Sequence, residues 1–288
     1  MKILRQILNF GVVLILGFAS SRQMWSQASE IPSAGQVIPN GETPEQHGRK
    51  LLNEMLEALG GDAWLHRHNM RELGHIGRFF HGTPTGIVID FTSTRQFATA
   101  DRFEALRIGF ITDKSILFPG KKIDVVQIWT AGKGYEVTYK GRAELPKEQV
   151  DDFYRRQNHS LEAVENTWLK APGVEVVYEG TTMVERRLAE KVSVLSDNND
   201  AVTIELDATS HLPLRRTFQW RNETFKDFDE DAEEYADYHT IQGLPTALSI
   251  TRYHNGDMAS QTFLLKVEYD VDAPPDMFNP DVLLKKKQ

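Results

Sequence analysis

Residues 244–269 read LPTALSITRYHNGDMASQTFLLKVEY, and their pattern is the clearest indication of the fold. Two runs suited to strands, 244–253 and 262–269, flank the turn sequence HNGD at 254–257. An Asn-Gly pair favours the tight turn of a hairpin, because both residues tolerate a positive φ. The stretch therefore predicts two antiparallel strands joined by a hairpin.

Most of the remaining chain after residue 70 also has patterns that predict strands. In 201–207, Val202, Ile204 and Leu206 alternate with polar residues, as in a strand with one buried face. About eleven strands are predicted in all: 87–91, 101–108, 123–129, 135–139, 174–178, 188–195, 201–207, 214–221, 232–238, 244–253 and 262–269. Strands and helices do not alternate, which favours one strongly curved antiparallel sheet over a parallel α/β fold.

Two helical segments accompany this sheet. Thr43 is a predicted N-cap, with Pro44 in the first helical position and Gln46 completing a capping box. Gly60-Gly61 ends this helix, and its apolar face is predicted to cover the sheet as a lid through Leu52, Met55, Leu56 and Leu59. A second, more polar helical segment is predicted over 146–169.

The first 28 residues are typical of a secretory signal. Lys2 and Arg5 precede a short apolar run at 7–18, and Ser26-Gln27-Ala28 is a small-residue cleavage site. The run is too short for a membrane anchor, which needs about 20 apolar residues. We therefore predict cleavage near Ala28 and a periplasmic or secreted location. Residues 29–42 are predicted to form a flexible leader and 43–284 a single domain.

Composition excludes several kinds of partner. The chain has no Cys and carries 33 Lys and Arg against 41 Asp and Glu. Loss of residues 1–28 would remove three basic residues and leave a net charge near −11. Nucleic acids and anionic membrane surfaces bind basic patches, so neither is an expected partner. No later segment is long and apolar enough to span a bilayer, so an integral membrane protein is not expected.

Catalytic and metal motifs are weak. There is no cysteine nucleophile, no Gly-x-Ser-x-Gly elbow and no P-loop. His66 and His68 lack a third ligand implied by spacing. The acidic run 227–234 departs from a calcium loop, with Ala232 in place of the glycine. We interpret that run as a solvated loop or a charged edge, and we expect no catalytic residue, metal or cofactor.

The turn motifs resemble those of one family. Ala58-Leu59-Gly60-Gly61 is followed by Trp64-Leu65, and a Gly-x-Gly hairpin stands at 132–134. Leu212-Pro213 comes next, and the remaining matches are Tyr235-Ala-Asp-Tyr238, Gly243-Leu-Pro245, Asn255-Gly256 and Phe278-Asn279-Pro280. Over roughly 44–281 the sequence resembles the outer-membrane lipoprotein-sorting, or LolA-like, superfamily of bacterial periplasmic proteins.

The resemblance implies an incomplete β-barrel, a half-pipe of antiparallel strands with a helix lid over its open side. In lipoprotein carriers of this type the apolar concave face holds acyl chains. This chain is longer than the small carriers and has the additional 146–169 segment.

Aromatic residues in or beside strands are the candidate ligand contacts. Phe218 and Trp220 share one face by period two, and Phe263, Leu265, Val267 and Tyr269 share another. Such residues either pack the core or line an apolar cavity beneath the lid. The candidate cavity residues are Phe91, Phe97, Phe103, Trp129, Phe218, Trp220, Phe263 and Tyr269.

The expected function is that of a periplasmic, non-enzymatic carrier or binding protein for a lipid-like apolar ligand, such as a lipoprotein acyl group. One alternative is a protein-interaction or envelope-assembly module that uses the same sheet and binds envelope proteins. A second alternative is a hydrolase.

Overall fold

The computed structural model describes Ile38 and residues 41–98, 104–113, 122–222 and 224–284. The predicted signal segment, most of the predicted leader and Phe103 lie outside the described residues, so what was expected of them stays a prediction.

The described chain forms one antiparallel sheet of thirteen strands that does not close into a barrel. The sheet order is β6-β5-β4-β3-β2-β1-β13-β12-β11-β10-β9-β8-β7. The strands are β1 Asn69–Phe80, β2 Thr83–Gln96, β3 Ala105–Asp113, β4 Lys122–Thr130, β5 Lys133–Val137, β6 Arg142–Glu144, β7 Glu175–Val184, β8 Arg187–Leu195, β9 Ala201–Asp207, β10 Pro213–Arg221, β11 Phe228–Ile241, β12 Leu244–His254 and β13 Asp257–Tyr269. The predicted fold class, a curved half-barrel with helices, is confirmed.

The first predicted helix is present as α1, Pro44–Leu59, followed by the short α2, Asp62–Leu65. The Thr43 hydroxyl accepts a hydrogen bond from the Gln46 amide at 3.1 Å, and the Gln46 side chain accepts one from the Thr43 amide at 2.9 Å. Gly60 ends α1 with φ 118°, a left-handed conformation that favours glycine.

The second predicted helix is divided. It consists of α3, Lys147–Asn158, and α4, Leu161–Asn166, with a 3₁₀ turn at Trp168–Lys170. Ser160 causes the break, because its hydroxyl accepts a hydrogen bond from the Ala163 amide at 3.1 Å and so caps a new helix. The prediction of one segment over 146–169 is wrong at this point.

The two faces of the sheet have different surroundings. On one face of the sheet, α1 and α4 pack against aliphatic side chains of β7, β8 and β9. We call this the helix face. These residues are paired across the strands and almost fully buried: Val176, Val192, Val194, Val202, Ile204 and Leu206. We call this set the apolar strip. The opposite face is the open face.

A bulge in β13 moves its second half to the other face. Leu264 pairs with Gly74 and Lys266 with Leu73, so Leu265 has no partner in β1. Val267 and Tyr269 consequently join the buried core with Leu264, whereas Phe263 is 46% and Leu265 60% exposed. The prediction that residues 263, 265, 267 and 269 share one face is therefore wrong, because an extra residue inverts the alternation.

A second, smaller core lies on the open face of β4 and β5. Val126, Ile128, Tyr135 and Val137 are buried there, and Ile123 and Leu284 pack against them. The cover is the segment 274–284, which begins with a 3₁₀ turn at Pro275–Phe278. We call residues 274–284 the C-terminal segment.

Candidate functional site

The lid residues of α1 lie against the helix face. Leu52, Met55 and Leu59 are each at most 4% exposed, and Leu56 is partly buried beside them. Gly48 allows the close approach, since a Cβ there would meet Cγ1 of Val176 at 2.9 Å. Farther along, a Cβ at Gly60 would meet Leu244 at 2.6 Å. The helix thus crosses from β7 and β8 to the start of β12.

Three of the candidate aromatic residues pack into the main core. Phe91, Phe218 and Tyr269 are each at most 9% exposed. The Phe218 ring stacks on His159, with centroids 4.2 Å apart and planes 9° from parallel. The Tyr269 hydroxyl lies 2.8 Å from the Thr246 hydroxyl. Each of these three rings is therefore packed against other residues of the chain, with α1 in place on the sheet.

Trp129 and Trp220 lie beneath or beside α3. The Trp129 indole stacks on Phe153 of α3 at 4.1 Å. Its buried Nε1 has no hydrogen-bond acceptor among the described residues. Trp220 is half-buried, and the Arg155 guanidinium lies 4.4 Å from its ring. Trp129 thus keeps one buried N–H donor without a partner in the described part of the chain.

Phe97 and Phe263 lie apart from this group. Phe97 packs against the guanidinium of Arg67, whose other side lies on Trp64, each at 4.1 Å. Phe263 lies on the open face and is exposed, as described above. The structure therefore brings Phe91, Phe218 and Tyr269 into one core with the lid, places Trp129 and Trp220 near α3, and separates Phe263 from all of them.

Sequence reasoning missed a set of polar side chains on the helix face, which centres on the buried Arg216. We call this set the polar layer: Arg216, Glu233, Arg252 and Tyr235. Arg216 donates to Glu233 at 2.8 Å and to the backbone oxygens of Arg156 and His159 at the end of α3. Tyr235 donates to Glu233 at 3.0 Å, and Arg252 lies 3.7 Å from it. The layer occupies β10, β11 and β12, between the apolar strip and β13.

The charged groups of the polar layer keep one another ionised. Burial alone would raise the pKa of Glu233, but Arg216 and Arg252 outweigh burial and hold it at about 2. Burial alone would lower the pKa of Arg216, and Glu233 outweighs that effect, so the pKa is raised. Both groups are therefore ionised at neutral pH. An acyl chain that crossed the helix face here would meet fixed charges.

Apart from Asp227, which lies in the exposed turn before it, the acidic run 227–234 is neither a solvated loop nor an edge. It begins β11, which pairs with β10 on one side and β12 on the other. Asp231 is only 4% exposed, and it accepts from His254 at 2.9 Å and lies 3.6 Å from Arg252. The interpretation of this run as a loop or an edge is wrong, because His254 and Arg252 of the neighbouring strand stabilise the buried carboxylate of Asp231. The sequence did contain one signal of the polar layer: Arg216 and Phe218 are two residues apart, so they share one face of a strand.

A second buried group of charges lies between α2, α4 and the strands β1 and β2. Arg67 pairs with Glu162 of α4 at 2.5 Å, and Arg95 pairs with Glu104 at 2.6 Å. Glu72 accepts from Ser93 at 2.5 Å, and burial raises the pKa of Glu72. The Arg67–Glu162 pair therefore links the end of α2 to α4 through buried charges.

On the open face, a cavity of about 370 Å³ lies between β3–β5 and the C-terminal segment. Apolar side chains form most of its wall, and Arg107 and Asp276 are its two charged residues. The apolar wall consists of Val126, Ile128, Val137, Pro274, Met277, Val282, Leu283 and Leu284. We call this space the C-terminal pocket.

A further cavity on the open face, of about 300 Å³, is more polar. Glu234, Thr251 and Gln261 line it from three paired strands, and Val184 and Arg187 come from the β7–β8 hairpin. Tyr253 donates to Glu234 at 2.9 Å across its wall. Two of its charged side chains have partners of opposite charge, since Arg187 pairs with Asp207 at 2.6 Å and Glu234 lies 3.8 Å from Arg215.

Histidines of the described residues contact carboxylates. His75 pairs with Asp90 at 2.6 Å, His159 with Asp200 at 2.9 Å and His254 with Asp231 at 2.9 Å. Within residues 41–98, 104–113, 122–222 and 224–284, no group of three or more His, Asp or Glu side chains converges as metal ligands would.

This half-barrel, with α1 across its apolar strip, is the LolA-like fold that the turn motifs predict. A DUF1329 family protein from Desulfovibrio piger shares the fold with a TM-score of 0.56 at 11% identity, over 83% of this chain and 98% of the other. A domain from Vibrio parahaemolyticus described as an outer membrane lipoprotein-sorting protein shares it with a TM-score of 0.52 at 7% identity, over 82% and 97%. The likeness is one of fold.

No protein-family model matches the chain, and no curated protein matches its sequence. No helix in the part of the chain that the structure describes is long and apolar enough to cross a membrane.

Proposed function

We propose that this chain is an exported, periplasmic, non-enzymatic carrier or binding protein for a lipid-like ligand, such as the acyl group of a lipoprotein. The observation that carries the proposal is the apolar strip. Its side chains on β7–β9 are almost fully buried, and α1 covers them on a sheet that does not close. A lid that lifts from the strip would open an apolar surface long enough for an acyl chain.

The polar layer limits where such a chain lies. Fixed charges on β10–β12 disfavour an apolar ligand, so the chain would follow the strip beneath α1, with Phe218 at its border. Each buried methylene contributes about 0.8 kcal/mol, and a dozen carbons contribute roughly 9 kcal/mol before the costs of association. Micromolar affinity is therefore reachable without an ion pair.

A reversible lock on the lid tests this proposal. The chain has no Cys, so Gly48→Cys with Val176→Cys would introduce the only thiols. A Cβ at Gly48 would lie 2.9 Å from the Val176 Cγ1 atom, whose place a sulfur would take, and a disulfide fits that approach. Fluorescent fatty acid should bind the reduced variant at micromolar concentration, and the oxidised variant should bind at least one molar equivalent less.

An equal number of fatty-acid equivalents bound by the oxidised and reduced forms would contradict a site beneath α1. Failure of the parent protein to bind the fatty acid would contradict the carrier proposal as a whole. The parent chain under the same oxidant and reductant is the matched control, because it has no thiol to respond.

A second candidate function, a protein-interaction module, rests on a different observation. Val88, Phe263 and Leu265 are apolar residues of the open face or its bulge and are 46–60% exposed. Exposed apolar groups in one region mark docking surfaces. Cross-linking in envelope extracts should yield an adduct that Phe263→Ser with Leu265→Ser abolishes and Phe225→Ser, a change at another exposed ring, does not. Unchanged adducts in the double variant would exclude this surface.

A further inference from the structure

The C-terminal pocket has the wall of a site for an apolar chain. Val126, Ile128 and Val137 form a floor on the sheet and are at most 2% exposed. Met277 and Leu284 belong to the opposite wall. A volume of about 370 Å³ lies within the range of roughly 300–1,000 Å³ typical of small-ligand cavities. The space is suited to one flexible chain.

The roof of this pocket is held in place at two points. Arg142 of β6 pairs with Asp281 at 2.8 Å, and Phe278 is 7% exposed against the sheet. Val282 and Leu283 are 50% and 43% exposed. The pocket is therefore roofed at the 3₁₀ turn and open toward solvent at residues 282–283.

Arg107 is the unusual residue of the wall. It projects from β3 on the open face, between Thr94 of β2 and Ile128 of β4. In the part of the chain that the structure describes, no hydrogen bond or ion pair joins its guanidinium to another residue. Burial lowers the pKa of Arg107, and among the described residues no carboxylate offsets the effect. A half-buried cation without a counter-charge is costly unless a ligand supplies one.

We propose that the C-terminal pocket binds a single-chain amphiphile with one anionic head, the chain lying on Val126, Ile128 and Val137 and the head pairing with Arg107. A guanidinium binds a carboxylate through two parallel hydrogen bonds, which gives both strength and orientation. Asp276, the other charged residue of the wall, is exposed and forms no ion pair with Arg107. Its negative charge disfavours a doubly charged head and so favours a monoanion.

This site lies on the face opposite the lid, so it goes beyond the carrier function proposed above. The two are separable because the Gly48→Cys/Val176→Cys lock acts on the helix face alone. Binding to the pocket should persist in the oxidised, locked variant. Evidence against a ligand site beneath α1 would therefore not contradict the C-terminal pocket, and evidence against the pocket would not contradict a site beneath α1.

The test is calorimetric titration of the locked full chain, freed of copurified lipid, with dodecanoate and with dodecanol. Dodecanoate should bind in the micromolar range. Arg107→Gln should weaken dodecanoate by about tenfold to a hundredfold, the effect of losing a charge-assisted hydrogen bond, and leave dodecanol unchanged. Arg107→Lys, which keeps the charge, should retain most of the affinity. Arg78→Gln, at an exposed arginine of β1, is the matched control.

Met277→Trp, which fills the pocket, should abolish binding of both ligands while the circular dichroism spectrum stays that of the parent. Dodecanoyl lysophosphatidylglycerol is titrated in the same way. It represents a chain derived from membrane lipid, whereas dodecanoate represents a free fatty acid. Arg107-dependent binding of either supports the proposal, and the tighter one identifies the source. Equal affinity of the parent and Arg107→Gln, equal losses in Arg107→Gln and Arg78→Gln, or no binding of either amphiphile would overturn it.

Discussion

The indole of Trp129 lies flat on the phenyl ring of Phe153, with ring centroids 4.1 Å apart and planes inclined by 18°. This pair joins β4 to α3. Trp129 is 4% and Phe153 9% exposed, so the contact is almost dry. The pair is therefore one of the contacts that hold α3 on the helix face, beside the hydrogen bonds from Arg216 to the end of α3.

Removal of the ring from α3 should destabilise the protein. Phe153→Ala should lower the free energy of unfolding by about 3 kcal/mol, since truncation of a buried phenylalanine costs about 3–5 kcal/mol. Urea unfolding followed by circular dichroism measures the change. Phe225→Ala, at a ring that is 77% exposed, should cost less than about 0.5 kcal/mol. Similar losses in the two variants would contradict the importance of the pair.

Gly134 makes room for the same indole. A Cβ there would lie 2.8 Å from Trp129 and 3.0 Å from Leu145. Gly134→Ala should therefore destabilise the fold by about 1–3 kcal/mol through overpacking. Gly77→Ala is the matched control in β1, where the nearest atom would be 3.8 Å away. Thermal unfolding of both variants distinguishes crowding from a general effect of replacing a strand glycine.

The polar layer predicts strong coupling between its two central residues. Arg216→Met should cost about 3–5 kcal/mol, because it leaves the Glu233 carboxylate buried with weaker partners. The double variant Arg216→Met with Glu233→Met should lose much less than the sum of the single losses. Lys147→Met breaks an exposed pair with Asp151 and should cost at most about 0.5 kcal/mol. Additive losses at Arg216 and Glu233 would refute the coupling.

Glu165 should make stability depend on pH. It is 8% exposed on α4, and burial raises its pKa from 4.5 to about 7. Between these values the unfolded chain loses its proton while the folded chain keeps it, so stability falls as pH rises from 4.5 to 7. At about 1.36 kcal/mol per unit, the loss approaches about 3 kcal/mol.

Glu165→Gln removes the titration and tests this expectation. The variant should match the parent near pH 4.5 and become more stable than it by pH 8, with the difference growing through the interval. Denaturant unfolding at four pH values measures the curve. A difference that stays constant over this range would show that Glu165 does not carry the effect.

Much of the fold could be predicted from sequence, because local signals agree with the final structure. The Asn255-Gly256 hairpin, the Thr43 capping box and the alternation in Ala201–Asp207 each appear as predicted. Strand β1 was missed because its apolar alternation is broken: Glu72 lies on the helix face, where Ser93 donates to it. Strand β6 was missed because it has three residues.

The candidate sites were less predictable, because they depend on contacts between distant segments. Arg216 and Glu233 belong to different strands, and only the pairing of those strands brings the Glu233 carboxylate against the buried Arg216. The C-terminal pocket depends on contacts between the C-terminal segment and distant strands, such as that of Asp281 with Arg142, which no local pattern indicates. The face of Val267 depends on one unpaired residue, Leu265.

The two ends of the unclosed sheet differ in how readily they would accept a strand from another molecule. At one end, β6 offers three exposed residues, two of them charged, and short charged edges resist such addition. At the other end, β7 has ten residues and a single paired neighbour among the described strands. If this protein polymerises when it is concentrated or heated, growth should begin at β7, and a proline on its outer edge should be the simplest way to keep the protein monomeric in storage.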